Sequence, residues 1–141
     1  MKPLQRICMA GLIALLMFHK IYLQQEQFER MLLQWKHAQT QLFLQNICRK
    51  GIITVEEYSE FYSKISLLSD VKVCVEEYQR EWDNLGRTVY YLFSWEEIQE
   101  QLFTKGSYLL HPGSVIKIEI FECHPEVQRK QVYYDMCYER N

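Results

Sequence analysis

The chain is poor in the residues that interrupt structure, with 3 prolines and 5 glycines in 141 residues. That scarcity excludes a long flexible linker and a low-complexity tract. An excess of one charge is also missing: 16 Lys and Arg against 18 Asp and Glu leave a formal net charge of -2. No bulk electrostatic attraction for nucleic acid follows from that balance. No two cysteines form a C-x-x-C pair, so the closely spaced thiolates of the common structural zinc sites are lacking and no metal is expected. The chain also has no internal repeat, glycine-rich phosphate loop, H-E-x-x-H or local Ser/His/Asp grouping. No catalytic residue, cofactor or small-molecule substrate is therefore expected, although triads assembled from distant segments leave no local signature.

What is present first is the apolar run "ICMAGLIALLMF", Ile7 to Phe18. Twelve helical residues cover roughly 18 Å of a hydrocarbon core about 30 Å thick. The flanks lengthen it. Leu4 to Leu23 is broken only by Gln5 and Arg6 at one end and His19 and Lys20 at the other, where long basic side chains can reach the headgroups. Ile7, Leu12, Ile13, Leu15, Leu16 and Phe18 are the expected lipid-facing anchor. Lys2 and Arg6 precede the run and "HKIYLQQEQF" follows it without an A-x-A-like cleavage site. An uncleaved signal anchor is expected, placing the N-terminus inside and the remainder outside a cytoplasmic membrane as a single-pass protein. A cleaved signal and the buried helix of a cytosolic protein are the alternatives.

From Ile21 to Lys50 no proline or glycine occurs, so the anchor is expected to continue as one helix over about 4–49. Phe28, Met31, Leu32, Trp35, Ala38, Leu42 and Phe43 fall within an arc of roughly 140° at 100° per residue. This stripe is the expected face for partner helices or for the head domain. Arg49 and Lys50 precede Gly51, as the helix dipole and a C-terminal glycine favour. The organisation read from this is an anchor over 1–23, its amphipathic continuation over 24–50, and a head over 51–141.

The head has two helix starts. Thr54 and Glu57 in "ITVEEY" form a capping box with Ile53 and Tyr58 as a staple, and Ser94 and Glu97 in "FSWEEI" repeat it with Phe93 and Ile98. The helices should run to about Ser66, with Tyr58, Phe61, Tyr62 and Ile65 inward, and to Lys105, with Ile98, Leu102 and Phe103 inward. Val71, Val73 and Val75 alternate with Lys72, Cys74 and Glu76, which predicts a strand with one buried face. "TVYYLFS" is a shorter strand. After the "HPG" turn, Ile116, Ile118 and Ile120 share a face in a strand over 115–123. The alternating Val132, Tyr134, Met136 and Tyr138 predict a last strand paired with it. The fold class is α+β: an antiparallel sheet with helices on one side and the long N-terminal helix as a candidate cover.

Glu76 and Glu77 are neighbours that a strand turns to opposite faces, and both are expected on a solvated or salt-bridged surface. Cys123 and His124 also alternate. Setting aside Cys8, the four thiols Cys48, Cys74, Cys123 and Cys137 could make two disulfides in an exported head, in any of three pairings, or could pack as small buried hydrophobes. Ten tyrosines could mark a binding surface, though strands favour Tyr in any case.

A basic N-terminus, one apolar helix running on as an amphipathic helix, and a small exported α+β head resemble the type IV pilin plan. More narrowly, four features in order resemble TadE-like pseudopilins and related minor pilins of Gram-positive bacteria. They are the "G-x-I-T-x-E-E-Y" start at Gly51 to Tyr58, the strand at 71–78, "WEEIQEQL" and "PGSVIKIEI". The resemblance implies a structural, non-enzymatic subunit of a pilus or related secretion machine, held in the cytoplasmic membrane by lipid contact and packing laterally against other pilin-like or assembly proteins. A prepilin peptidase site, with glycine before the run and glutamate five residues into the mature chain, is absent: Gly11 lies inside the run and Leu16 stands five residues later. A permanently anchored accessory subunit is therefore expected rather than a processed major pilin. A cytosolic protein-binding module with a buried first helix is the competing reading.

Overall fold

The computed structural model describes residues 2–67, 69–123 and 128–137. Its first element is a single helix, α1, Pro3–Lys50, continuous through the stretch from Ile21 to Lys50 that holds no proline or glycine. The chain divides into two compact units, Met1–His37 and Ala38–Asn141. The division falls within α1, so the last turns of the helix belong with the head.

The head then runs β1 (Ile52–Thr54), α2 (Val55–Ile65), β2 (Val71–Trp82), β3 (Thr88–Phe93), α3 (Trp95–Lys105), β4 (Ser107–Leu109), β5 (Val115–Cys123) and β6 (Gln128–Met136). Four strands form an antiparallel sheet in the order β3-β2-β5-β6, and β1 pairs with β4 in a separate two-stranded sheet. The fold is α+β, as the sequence pattern implies. The small β1–β4 sheet carries no alternation long enough to read, because each strand has three residues.

Both helix starts are where the capping residues put them. Thr54 Oγ accepts from the Glu57 N–H at 3.2 Å, Ser94 Oγ accepts from the Glu97 N–H at 3.4 Å, and Gly106 ends α3 at φ 81. The reciprocal half of the first box differs from expectation. The Glu57 carboxylate takes the Lys50 ammonium at 2.5 Å, so it bridges α2 to the end of α1 rather than closing on its own N-cap.

One face of the four-stranded sheet is the core. Val71, Val73 and Val75 of β2 and Ile116, Ile118 and Ile120 of β5 are buried together with Phe61 and Ile65 of α2 and Ile98 and Leu102 of α3. Tyr62 and Phe103, expected inward, are exposed. They flank the core because a two-turn amphipathic face buries its central residues and leaves its edge residues half-wet.

The expected head-packing face of α1 needs correction. The residues of α1 buried in the core cluster are Phe43, Leu44, Ile47 and Cys48, with Thr40 also buried. Phe28, Met31, Trp35, Ala38 and Leu42 are exposed, and Leu32 is half-buried. At 100° per residue the buried set is centred roughly 140° around the helix from the stripe. Phe43, at the stripe's edge, is the member that turns inward, and its ring stacks on Phe61 with centroids 4.3 Å apart. The helix thus carries two apolar faces, and a scan for one stripe finds the longer.

Ile47 is fully buried while Leu42 is 55% exposed, so truncation should separate the two faces. Ile47→Ala is expected to destabilise the head by about 2–5 kcal/mol and Leu42→Ala by less than about 0.5 kcal/mol, measured by urea unfolding in detergent. Equal effects would refute the assignment.

Candidate functional site

Three features stand out, two on the head and one on the N-terminal helix. The first is a buried carboxylate. Because β2 keeps its alternation, the parity that turns Val71, Val73 and Val75 inward also turns Glu77 inward, and Glu77 is fully buried. This corrects the expectation of a surface carboxylate at that position. Glu76, on the opposite parity, is half-buried, with Lys117 at 3.7 Å. Glu77 Oε1 accepts from Tyr108 Oη and lies beside His111 Nδ1, and Oε2 accepts from the His111 backbone N–H, each at 2.8 Å. Ser114 Oγ lies 2.8 Å from Oε2 and 2.7 Å from the His111 carbonyl. Both oxygens are saturated, which is what allows a carboxylate to be tolerated there. The His111 ring stacks on Phe93 with centroids 4.9 Å apart. Burial and the Glu77 hydrogen bond push the Tyr108 hydroxyl far above the usual tyrosine range.

Serine, histidine and an acid meet here, yet the arrangement is not that of a nucleophile and its base. Ser114 is wholly buried, and its hydroxyl faces the carboxylate and a carbonyl rather than the imidazole. A relay needs the hydroxyl on the base and open to substrate. What this cluster can do is tie β2, β4 and the turn before β5 to one point.

The second feature is the other face of the sheet, which no element among the described residues of the head covers. Leu92, Tyr78, Val115 and Met136 lie in one cross-strand row through all four strands, with Tyr90, Trp82 and Tyr134 around it. Trp82, Tyr90 and Tyr134 are each more than 60% exposed. Val132, Tyr134 and Met136, whose alternation predicts β6, all face this side, and Tyr133 is the buried residue. Tyr138 and His124 lie outside the described residues. The centre of this face is polar: Lys117 Nζ lies 2.5 Å from Glu119 Oε1, and Lys130 Nζ lies 3.5 Å from the same oxygen. Lys117 first, then Lys130, holds the Glu119 carboxyl below the usual carboxylate range.

The third feature comprises the helix stripe and the apolar run that precedes it. Ile7, Leu12, Ile13, Leu15, Leu16 and Phe18 are all exposed on α1, which is long and apolar enough to cross a membrane by length and composition, with none of its apolar window buried. A groove of about 680 Å³ on the head is lined by Tyr58, Tyr62, Trp95 and Phe103 among others. All five thiols are free, and among the described residues no cluster of three or more His, Cys, Asp or Glu could hold a metal. Cys74 and Cys123 lie on the outer sheet face, Cys74 opposite Glu119 and Cys123 four residues further along β5. That puts them roughly 13 Å apart, beyond the span of a disulfide. Cys48 and Cys137 are both buried in the core.

No family model, curated protein or solved structure matches the chain.

Removing the Glu77 side chain strands three buried or half-buried donors, so Glu77→Ala is expected to cost about 3 kcal/mol or more, and Glu77→Gln less. Urea unfolding measures both, and a loss below about 1 kcal/mol for Glu77→Ala would reject the hub. Glu119 makes a pH prediction. Its folded value lies below the ordinary 4.5, so the pair's stabilisation is present above that pH and is lost as pH falls through the folded value. Glu119→Gln should therefore be less stable than the parent at pH 7 by up to about 1 kcal/mol, with the gap closing on acidification.

Proposed function

We infer that the chain is a membrane-anchored, pilin-like structural subunit of a pilus or related assembly machine, non-catalytic, acting through packing of its N-terminal helix. The observation that carries this reading is the single helix Pro3–Lys50, whose apolar N-terminal window is wholly unburied. Its last turns instead enter the core of an α+β head. An unburied window of this length is costly in water and favourable in lipid. It also counts against the reading in which the first helix is an internal core element of a cytosolic module, since none of the apolar window is buried among the described residues.

In this reading residues from Leu4 to Leu23 lie in the cytoplasmic membrane with the N-terminus inside and the head outside. The exposed residues Phe28, Met31, Trp35, Ala38 and Leu42 are then free for helices of other pilin-like or machine proteins. Side-by-side helix packing through such a stripe requires ridges that interdigitate at 8–10 Å between axes, which Phe, Met, Trp and Leu spaced by three and four provide. Without a peptidase site the subunit stays attached, as an accessory rather than a processed major component.

Cys123 is exposed and offers a direct test of topology. In intact cells stripped of wall, a membrane-impermeant maleimide is expected to label Cys123, with Cys123→Ser removing that labelled peptide. The chain should remain in the membrane fraction after alkaline extraction, and the pair Leu12→Arg and Leu15→Arg should release it, each arginine costing about 2.5–3.5 kcal/mol at mid-membrane. Labelling only after lysis would overturn the exported head, and a soluble parent chain would favour the cytosolic module.

A further inference from the structure

Two of the thiols need an explanation that packing alone does not give. Cys48 lies in the last turns of α1 and Cys137 directly after β6, 1% and 2% exposed, and each belongs to the core cluster. Both segments are tied to the one turn before β5: the Leu110 N–H donates to the carbonyl of Gly51, three residues after Cys48, at 2.9 Å, and Cys137 is held by Ser114. Both backbones are held. The Cys137 N–H donates to the Ser114 carbonyl at 2.8 Å and its carbonyl accepts from the Gly113 N–H at 3.2 Å. On the other side, the Gly51 N–H closes the end of α1 on the Ile47 carbonyl at 2.7 Å. A methyl or isobutyl group would fill either position. Two thiols buried in one core, from segments at the two ends of the head sequence, can do something aliphatic groups cannot.

We propose that Cys48 and Cys137 form the structural disulfide of this protein, closing the head into a covalent loop that runs from the end of the N-terminal helix to the end of the last strand. The choice among the three sequence-level pairings follows from geometry. Cys74 and Cys123 cannot reach each other, and each lies on the sheet face opposite the core that holds Cys48 and Cys137. The proposal rests on the exported reading above, because a disulfide persists where thiols meet an oxidising environment.

The chemistry is thiol–disulfide exchange with a disulfide-bearing oxidant, a thiol oxidoreductase in the cell or oxidised glutathione in the tube. Cys137 thiolate attacks one sulfur of the oxidant, the oxidant's disulfide breaks, and one oxidant thiolate leaves. Cys48 then loses its proton to solvent and attacks the Cys137 sulfur, displacing the second oxidant thiolate. Two protein thiols are oxidised to one disulfide and one oxidant disulfide is reduced to two thiols. Since both sulfurs are buried in the folded head, exchange takes place before the end of β6 docks. The bond then has a mechanical role: a load arriving along α1 passes directly to β6 instead of peeling the helix from the sheet.

The test uses the full chain in detergent, unfolded, reduced, and refolded with oxidised glutathione, then blocked with a thiol alkylator and mapped by mass spectrometry. The expected result is a Cys48–Cys137 linked peptide with Cys8, Cys74 and Cys123 alkylated, and a melting temperature higher than that of the reduced chain by roughly 10 °C or more. Cys48→Ala/Cys137→Ala should melt within a few degrees of the reduced parent and lose all response to reductant. A different pairing, no bond, or a bond that lowers the melting temperature overturns the assignment, and the parent's map decides this even if the double variant fails to fold. A second arm traps thiols with acid in growing cells before alkylation. A linked pair there supports both the bond and the exported head. A reduced pair in cells together with a linked pair after refolding overturns export while the pairing stands.

Discussion

Everything in the head is organised by how one helix end meets one sheet face. Phe43, Leu44, Ile47 and Cys48 present a stripe that the inward residues of β2 and β5 bury, and α2 and α3 complete the enclosure through Phe61, Ile65, Ile98 and Leu102. Burial of that apolar area is the main favourable term available to a unit of about a hundred residues, with net stability of only a few kcal/mol to spare. The arrangement follows from the sheet's antiparallel pairing, which lines one face with valine and isoleucine and leaves the other to solvent. A helix inserted by its last turns, rather than along its whole length, leaves its earlier apolar residues uncommitted to the head.

Once β2 is fixed in that register, the fate of Glu77 is no longer optional. Its side chain must enter the core, and a carboxylate there is tolerable only with its hydrogen-bonding capacity filled. Tyr108, His111 and Ser114 fill it. The result is a polar point inside an apolar core that fixes the β4–β5 connection with directional bonds, where valine would have left the turn free to slide. The same turn holds Cys137 by two backbone bonds, so the carboxylate indirectly sets where the last strand ends and which thiol it delivers to Cys48.

The sequence disclosed most of the architecture because its devices are local. Capping residues at Thr54 and Ser94, alternation over 71–76 and 115–123, and the absence of breakers before Gly51 each act within a few residues. The α+β class, both head helices and the four long strands follow from them. The misplaced residues depend on something further away. Glu77 was legible by extending the valine parity one step, but a rule that assigns carboxylates to surfaces masks it. The inner face of α1 was hidden by the longer stripe from Phe28 to Leu42, since both fit a helical period and only contact with the sheet distinguishes them. The pairing of β1 with β4 joins segments 55 residues apart at Ile53 and Tyr108, with too few residues to show a period. The proximity of Cys48 to Cys137 is of the same non-local kind.

The two apolar faces of α1 also bear on what kind of molecule this is. A helix that had evolved only to close a core would spend its hydrophobic residues on the side facing the sheet, and polar residues would occupy the far side. Here Phe28, Met31, Trp35 and Leu42 lie on the far side and are exposed, next in sequence to a run that is apolar all round. Exposed aromatic and aliphatic side chains in that number carry a cost in solubility unless another surface covers them. Lipid covers the run up to about Leu23 in the membrane-anchored reading, but beyond it the polar residues interleaved with the stripe make lipid a poor solvent. In that reading a neighbouring helix satisfies both requirements, since it can meet the stripe with apolar groups and leave the interleaved glutamate, arginine and glutamine side chains at Glu29, Arg30 and Gln34, all exposed, in water. In the membrane-anchored reading, the division of the helix into a uniformly apolar part, a one-sided part and a part buried in its own head is therefore a sequence of three solvents, with protein as the middle one.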